Sequence, residues 1–351
     1  MKTIIQKIDP ENFQDEELDE ACAILKNGGL VAFPTETVYG LGGDGLNPAA
    51  SARIYAAKGR PSDNPLILHI ASMDDLKEIA GEIPDGAYKL AESFWPGPMT
   101  MIFKKRESVP YETTGGLDTV AVRMPSHPVA RELIRRSGVY IAAPSANLSG
   151  RPSPTKHEHV IEDLDGRIDM ILASGPVGIG LESTIIDMSV PEPMLLRPGY
   201  ITREMIESIT GKIKVDPVVV SRTPLKDLKP KAPGMKYRHY APRGDMEIIE
   251  GDEDQVVKKI NSLTEECERK GIRAAVITTD ENRDRYTCKN VYSVGARKTE
   301  GSIAAGVFDV LREMDHIGAQ KIYAESFESD RLGMAIMNRM IKAAAYQIVD
   351  V

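Results

Sequence analysis

A proline-rich break divides this 351-residue chain into two parts, and each part predicts alternating strands and helices. Residues 216–243 contain five prolines and little apolar periodicity, which is typical of an ordered or semi-rigid linker. Residues 1–215 predict an α/β domain with a mixed, twisted sheet and flanking helices. Residues 244–351 predict a smaller α/β domain with a parallel, Rossmann-like sheet.

Local signals set the individual predicted elements. Asn47 followed by Pro48 predicts the start of a helix that ends near Lys58, because Pro61 disfavours helical geometry in the residue before it. The stretch PTETVYGLGGDG at 34–45 is predicted as a loop. Other predicted helices cover 15–26, 254–270, 303–314 and 332–345, and predicted strands cover 30–33, 65–70, 99–103, 119–124, 139–143, 168–173, 183–187, 193–196, 246–249, 273–278, 290–294 and 321–324.

Composition limits the class of protein. The formal net charge of -8, from 44 basic and 52 acidic residues, argues against a sequence-independent DNA-binding surface but leaves room for a local basic cavity. Cys22, Cys267 and Cys288 are far apart and lack the spacing of a disulfide framework or a zinc site. No apolar run is long enough to span a membrane, and the N-terminus becomes acidic too soon for a signal peptide. We expect a cytoplasmic protein.

A basic turn follows the helix that begins at Pro48. Lys58 and Arg60 are separated by Gly59 and followed by Pro61, so we predict a rigid, surface-facing turn that projects both charges the same way. A lysine point charge and an arginine fork suit a polyphosphate. The alternative is two solvated cations at a helix C-terminus, where cations are favoured anyway.

A second polar turn, PSANLSG at 144–150, follows the predicted strand 139–143. Sheets of α/β proteins bind ligands at the carboxyl ends of their strands, so Ser145 and Asn147 are candidates to contact phosphate oxygens or a metal-bound water. An ordinary Asx or Ser turn is the alternative. The glycine-rich run 175–180 resembles a phosphate-binding loop, but a flexible turn explains it equally well.

Arg123 lies on a predicted strand among apolar neighbours. A buried arginine must be paired, and either a substrate carboxylate or an internal Asp or Glu can be the partner. His69 ends another predicted strand, where a histidine is often only structural. No Ser/His/Asp or Cys/His nucleophile set appears in the sequence.

Six motifs occur in order along the chain: FPTETVYGLG at 33–42, KGRPSDNPLILHI at 58–70, WPGPMT at 95–100, VAVRMP at 120–125, PSANLSG at 144–150 and ESTI at 182–185. Together they resemble the threonylcarbamoyl-AMP synthase family, which is built on a YrdC-type domain. PGMKYRHYAP at 233–242 and the second domain resemble the longer members. The resemblance implies a nucleotidyltransferase that converts L-threonine, bicarbonate and ATP into threonylcarbamoyl-adenylate and pyrophosphate, for threonylcarbamoyl modification of adenosine 37 in tRNA.

The resemblance also implies a role for particular residues. Lys58 and Arg60 would be catalytic, and Mg²⁺ would be held through ATP rather than by direct protein ligands. The implied ATP contacts are Lys58, Ser62, Thr119, Ser145, Asn147, Ser153, Arg197, His239 and Tyr240. The implied threonine contacts are Thr35, His69, Arg123, Ala143 and Ser183. Many relatives have Thr at the position of Ala143. Alanine has no hydroxyl, so the contact expected here is one through the backbone.

Two other classes of protein are alternatives to this one. An RNA-binding module would use the basic concave face of the YrdC-type domain, but the acidic total and the missing aromatic pattern leave at most a weak RNA contact. A carbamoyltransferase resembling hydrogenase-maturation proteins would carry zinc-finger cysteines, which this chain lacks.

The expected partner is a downstream tRNA threonylcarbamoyl transferase. His239 and Tyr240 make the linker a candidate lid over the nucleotide, or else a passive linker docked by its aromatic side chains.

Overall fold

The protein folds around two β-sheets. A computed structural model describes residues 2–224, 232, 240–327 and 330–351. Within these residues an eleven-stranded mixed sheet lies in the first part of the chain and a five-stranded sheet in the second. The predicted α/β class, with a mixed sheet followed by a smaller parallel one, is confirmed. The boundaries at 215 and 243 stay a prediction.

The large sheet has the strand order β1-β8-β2-β3-β7-β4-β6-β5-β9-β10-β11. Its strands are β1 (Ile4–Lys7), β2 (Val31–Phe33), β3 (Gly40–Asp44), β4 (Ile67–His69), β5 (Met99–Lys104), β6 (Thr119–Arg123), β7 (Ile141–Ala143), β8 (Met170–Ala173), β9 (Thr184–Asp187), β10 (Met194–Arg197) and β11 (Lys214–Val215). At its centre, β4 pairs parallel with β6 and antiparallel with β7. This pairing places residues from three distant stretches of sequence side by side.

Helices cover both faces of this sheet. They are α1 (Asp19–Lys26), α2 (Pro48–Lys58), α3 (Met73–Ile79), α4 (Asp85–Phe94), α5 (Tyr111–Thr114), α6 (Pro128–Ser137), α7 (His157–Leu164), α8 (Arg203–Thr210) and α9 (Pro217–Val220). The predicted start of α2 is confirmed, because the Asn47 side chain accepts a hydrogen bond from the Ala49 amide at 3.0 Å. The predicted helix over 15–26 begins as a 3₁₀ turn, Asp15–Leu18.

The prediction of a loop over the whole of 34–45 was wrong. Residues Gly40–Asp44 form β3, which pairs with β2 on one side and β7 on the other. Glycine is depleted in strands, so local propensity argues against this element. Close packing explains the glycines here: a Cβ on Gly42 would lie 2.6 Å from the Ile141 side chain.

The small sheet is parallel throughout, with the order β14-β13-β15-β12-β16. Its strands are β12 (Asp245–Glu250), β13 (Ala274–Thr278), β14 (Val291–Ser293), β15 (Lys321–Glu325) and β16 (Ile348–Asp350), and its helices are α10 (Glu253–Arg269), α11 (Glu300–His316) and α12 (Arg331–Ala343). Helices α11 and α12 pack against each other and carry the contacts to the first domain. The last strand, β16, was not predicted.

The two domains share one apolar core at their junction. Val38 and Leu181 of the first domain pack with Tyr240 and with residues of α11. The backbones approach closely here, since a Cβ on Gly180 would lie 2.4 Å from the Cα of Ala305. The docking of the domains therefore depends on a glycine at this position.

Gly180→Ala should destabilise the protein by about 1–3 kcal/mol, because the added methyl clashes with α11 and the residue has φ +81. Urea unfolding followed by circular dichroism measures this free energy. The matched control is Gly178→Ala, where a Cβ would meet no atom within 4 Å. Equal unfolding free energies for the two variants would contradict the close approach.

Candidate active site

A cavity opens on the large sheet where β4, β6 and β7 lie together, next to the second domain. Tyr240, from the end of the linker, is buried in its wall and packs on Phe308 of α11. The lining residues are Thr35, Val38, Gly40, Arg60, Ile67, His69, Arg123, Ala143, Pro144, Ser145, Glu182, Ser183, Arg197 and Tyr240.

The residues predicted for threonine are brought together by the fold. All five line the cavity, although they come from separate parts of the sequence. Strand register explains the central ones: His69 pairs with Arg123 and Ile67 with Ala143. Residues paired directly across neighbouring strands project from the same face of a sheet.

Arg123 is buried, as predicted, and of the two partners left open the structure supplies the internal acid. Its Nη2 lies 2.7 Å from Glu36 Oε1. Burial raises the pKa of Glu36, but Arg123 and the Ser126 amide outweigh it and hold the pKa below its usual range. Within the described part of the chain, Arg123 Nε has no hydrogen-bond partner. One donor of the guanidinium is therefore left without a protein partner among the described residues, and the side chain lines the cavity.

His69 is held as a neutral imidazole. Its Nδ1 lies 3.1 Å from the Ile67 carbonyl oxygen and 3.3 Å from that of Ile141, so Nδ1 carries the proton. Burial, with help from the Arg123 charge, lowers the pKa of His69 to about 3. The remaining nitrogen, Nε2, is therefore a hydrogen-bond acceptor at neutral pH.

Two hydroxyls of the cavity are fixed by hydrogen bonds. Thr35 Oγ1 donates to the Val38 carbonyl at 2.6 Å. Ser183 Oγ lies 2.7 Å from Thr100 Oγ1 and accepts a hydrogen bond from Arg197 Nη2 at 3.1 Å. Arg197 Nε also donates to the Ser183 carbonyl at 3.0 Å. The wall around Ser183 thus depends on the position of Arg197.

The prediction that Lys58 and Arg60 form a surface-facing turn was wrong. Both are buried, with 2% and 8% of their surface exposed. Lys58 Nζ donates to the carbonyls of Ser145 and Asn147, so its ammonium holds the 144–150 turn from behind. Burial and the Arg60 charge lower the pKa of Lys58 well below its usual value. Arg60 alone of the two lines the cavity.

The polar side chains of the 144–153 region bond mainly to each other. Asn147 Oδ1 accepts from Ser145 Oγ at 2.5 Å, while Asn147 Nδ2 donates to the Leu148 and Arg151 carbonyls. Ser153 Oγ donates to Glu182 Oε1 at 2.5 Å. Ser145 lines the cavity, whereas Asn147 and Ser153 lie behind its wall. Their contact with a nucleotide stays a prediction.

The remaining nucleotide candidates have different positions. Arg197 and Tyr240 line the cavity. Ser62 is exposed, and Thr119 is half-buried at the start of β6, at the opposite end of that strand from Arg123. His239 lies outside the described residues.

The glycine-rich run 175–180 is a structural segment. The amides of Val177, Ile179 and Gly180 donate to the carbonyls of Thr155, Glu36 and Thr37 at 2.9, 2.9 and 3.1 Å. Amides engaged in this way are not available to phosphate oxygens. These three hydrogen bonds support the turn interpretation, and a phosphate contact by the other amides of the run stays a prediction.

Glu182 is the principal site residue that the sequence did not identify. Its carboxylate accepts from Ser153 Oγ and from Arg339 Nε at 3.0 Å, and it also bonds to the Tyr240 hydroxyl. Burial raises its pKa, but Arg339 and Arg197 outweigh burial and lower the pKa to about 2. Arg339 lies in α12, whose amphipathic pattern is ordinary, so nothing in the sequence pointed to it.

The cavity wall carries an excess of positive charge. The described lining residues include three arginines, Arg60, Arg123 and Arg197, and one carboxylate, Glu182, while Glu36 pairs with Arg123. A wall of this composition favours an anionic ligand. No group of three or more His, Cys, Asp or Glu side chains in the described ranges could hold a metal ion.

Within the described residues, no helix has the length and apolar character that crossing a membrane requires.

Comparison with known proteins places this chain in a class of adenylyl-transferring enzymes. A family model described as telomere recombination matches residues 23–199, and one described as the C-terminal domain of threonylcarbamoyl-AMP synthase matches 201–345. Threonylcarbamoyl-AMP synthase of Bacillus subtilis is 46% identical over 99% of this chain and 100% of its own length, and that of Pyrococcus abyssi is 47% identical over 97% and 98%. The crystal structure of P. abyssi Sua5 complexed with L-threonine matches with a TM-score of 0.94 and 46% identity, covering 99% of this chain and 100% of that one.

These matches extend over both domains. The chain belongs to the threonylcarbamoyl-AMP synthase family. It is an enzyme of the nucleotidyltransferase type, as the six sequence motifs indicated.

Lys58→Met should lower the free energy of unfolding by roughly 2–4 kcal/mol as well as abolish activity, because the carbonyls of Ser145 and Asn147 lose a buried, charged donor. Chemical denaturation and pyrophosphate release measure the two effects. Lys26→Met is the control, since Lys26 also lies in the last turn of a helix but is exposed. A Lys58→Met protein of unchanged stability would contradict the role assigned to this ammonium.

His69→Gln should make the protein less sensitive to acid. The pKa of His69 is 6.5 in the unfolded chain and about 3 in the folded chain. The stability that neutral His69 contributes to the wild type is therefore lost as the pH falls from 6.5 to about 3. Thermal unfolding across this pH range measures the slope of stability against pH. His316→Gln is the opposite control: burial lowers the pKa of His316, but Glu162 and Glu313 outweigh it and raise the pKa. If both variants changed the slope in the same direction, the assignment for His69 would be wrong.

Proposed function

We propose that this cavity is where the chain makes threonylcarbamoyl-AMP from L-threonine, bicarbonate and ATP, releasing pyrophosphate. One observation carries the proposal: the five threonine candidates share a single wall with Arg60, Ser145 and Arg197. The product supplies the threonylcarbamoyl group for adenosine 37 of tRNA.

Threonine binds over the paired ends of β4 and β6. Its carboxylate accepts from Arg123, whose Nε has no hydrogen-bond partner in the described ranges. Its hydroxyl and amine bond to Ser183, Thr35 and the acceptor Nε2 of His69, and the Ala143 carbonyl is an additional acceptor. The excess of arginine over carboxylate in the wall supports a ligand set that is anionic overall.

The reaction needs no protein nucleophile. The threonine amine attacks CO₂ derived from bicarbonate and loses a proton, and the resulting N-carboxylate oxygen attacks the α-phosphorus while the bond to pyrophosphate breaks. Arg60 and Arg197 stabilise charge on the phosphates. Lys58 acts indirectly, by holding the turn that carries Ser145. Positioning of two bound substrates supplies much of the rate.

Mg²⁺ accompanies ATP and neutralises part of the triphosphate charge. Its expected ligands are phosphate oxygens and water. The carboxylate of the cavity wall, Glu182, is already engaged by Arg339 and Ser153. The protein side chains therefore act on the phosphates rather than on the metal.

The end of the linker closes the nucleotide side of the cavity. Tyr240 is buried there, and Ala232 belongs to an apolar cluster that includes Ile67 and Ala121 of the same sheet. A lid at this place excludes water and protects the labile carbamoyl-adenylate from hydrolysis. Residues 233–239, with His239, lie outside the described residues. A tRNA threonylcarbamoyl transferase receives the product, and contact with RNA is weak.

Threonine should be used at least about 100-fold more efficiently than valine, measured as kcat/KM for pyrophosphate release with ATP, bicarbonate and Mg²⁺. The two amino acids have nearly the same shape, but valine leaves the polar groups around Ser183 without a hydroxyl partner.

Serine is the control for this comparison, because it keeps the hydroxyl and lacks only a methyl group. A moderate loss with serine and a large loss with valine is the expected pattern. Equal pyrophosphate release with threonine and valine would overturn the threonine site, and release that does not depend on any amino acid would overturn the proposed function.

A further inference from the structure

Two arginines of the second domain reach into the first domain and are completely buried. Arg312 of α11 and Arg339 of α12 both have 0% of their surface exposed. Burying a charged side chain is costly unless it is paired and hydrogen-bonded. Among the described residues, their hydrogen-bond partners lie in the first domain or on their own helix.

Arg339 binds the wall that carries Ser183. Its Nε donates to Glu182 Oε2 at 3.0 Å, Nη2 to the Glu182 carbonyl at 3.3 Å and Nη1 to the Pro198 carbonyl at 2.6 Å. Glu182 directly precedes Ser183, and Pro198 directly follows Arg197. One guanidinium of the second domain thus ties together the two segments that form this side of the cavity.

Arg312 holds the opposite side, behind the 144–150 turn. Its Nη2 donates to the Pro152 carbonyl at 2.6 Å and to Asp163 Oδ2 at 2.8 Å. The same carboxylate accepts from the Leu148 amide at 3.1 Å. Arg312 therefore fixes, through Asp163, the turn whose carbonyls also bind Lys58.

We infer that the second domain is a structural part of the active site, and that Arg339 is a positioning residue that sets threonine affinity through Glu182 and Arg197. The inference rests on the proposed function, because it concerns the same cavity. Arg312 has the corresponding position behind the turn.

The physical reason lies in the charge of Glu182. Without Arg339, this buried carboxylate keeps two neutral partners, Ser153 and Tyr240, and the positive charges left to act on it are those of Arg197 and Lys342. Attraction then draws Arg197 toward Glu182 and away from Ser183, whose carbonyl and hydroxyl it binds in the docked state. Loss of those two bonds leaves Ser183 misplaced for the substrate.

The test uses the full-length chain with Arg339→Met, Arg339→Lys and the double variant Arg339→Met/Glu182→Gln. Isothermal titration with L-threonine gives Kd, pyrophosphate release gives kcat and KM, and thermal unfolding reports the fold. We expect Arg339→Met to weaken threonine binding by roughly tenfold or more and to raise KM more than it lowers kcat. Arg339→Lys keeps a cation and should restore part of the affinity.

The double variant shows whether Arg339 acts through charge. It removes both members of the buried pair, so Arg197 is no longer drawn away, and affinity should return toward wild type. If Arg339→Met alone fails to fold, the double variant still tests the role of charge. The control is Lys156→Met, whose ammonium crosses the same interface to Asp309 at 2.8 Å but is 42% exposed. This control should bind threonine within about twofold of wild type.

The outcomes separate the inference from the proposed function. If Arg339→Met binds threonine as tightly as wild type, or if the double variant folds and stays as weak as the single one, the positioning role is wrong. If wild type itself neither binds threonine nor releases pyrophosphate, the proposed function fails instead.

Discussion

The buried carboxylate of Glu182 connects the parts of this protein that must stay together. It accepts hydrogen bonds from Ser153 of the first domain and Arg339 of the second, and it bonds to Tyr240 at the end of the linker. With 6% of its surface exposed, it depends on these partners for the stabilisation that water would otherwise provide. The adjacent peptide carries Ser183, so the arrangement of this single ion sets one wall of the cavity.

Charge is distributed unevenly between the molecule and its cavity. The chain carries a formal net charge of -8, whereas the described wall of the cavity has three arginines for one carboxylate. An acidic exterior disfavours extended polyanions, and an enclosed cationic wall favours small ones. This contrast gives a physical basis for the use of a nucleoside triphosphate by a protein with an acidic surface.

The sequence predicted what local signals determine. Asn47 and Pro48 start α2, and the apolar runs of the second domain form a parallel sheet, because capping and periodicity act over a few residues. Contacts between distant residues were not predictable. Arg339, which binds Glu182, is 157 residues away in sequence, and the carbonyl that accepts a hydrogen bond from buried Lys58 lies 87 residues later. The ligand roles of the site residues stay predictions: local pattern suggested a phosphate role for Lys58, Arg60, Ser145 and Asn147, and the family resemblance implied the others.

The complete burial of Arg339 has a consequence for how such a chain can change over generations. A substitution at Glu182 or at Arg339 alone leaves an uncompensated ion inside the protein, so the two codons are expected to vary together or to stay fixed. The segments encoding the two domains therefore cannot be exchanged freely between relatives. A chimera needs an α12 that supplies the guanidinium which the recipient Glu182 requires.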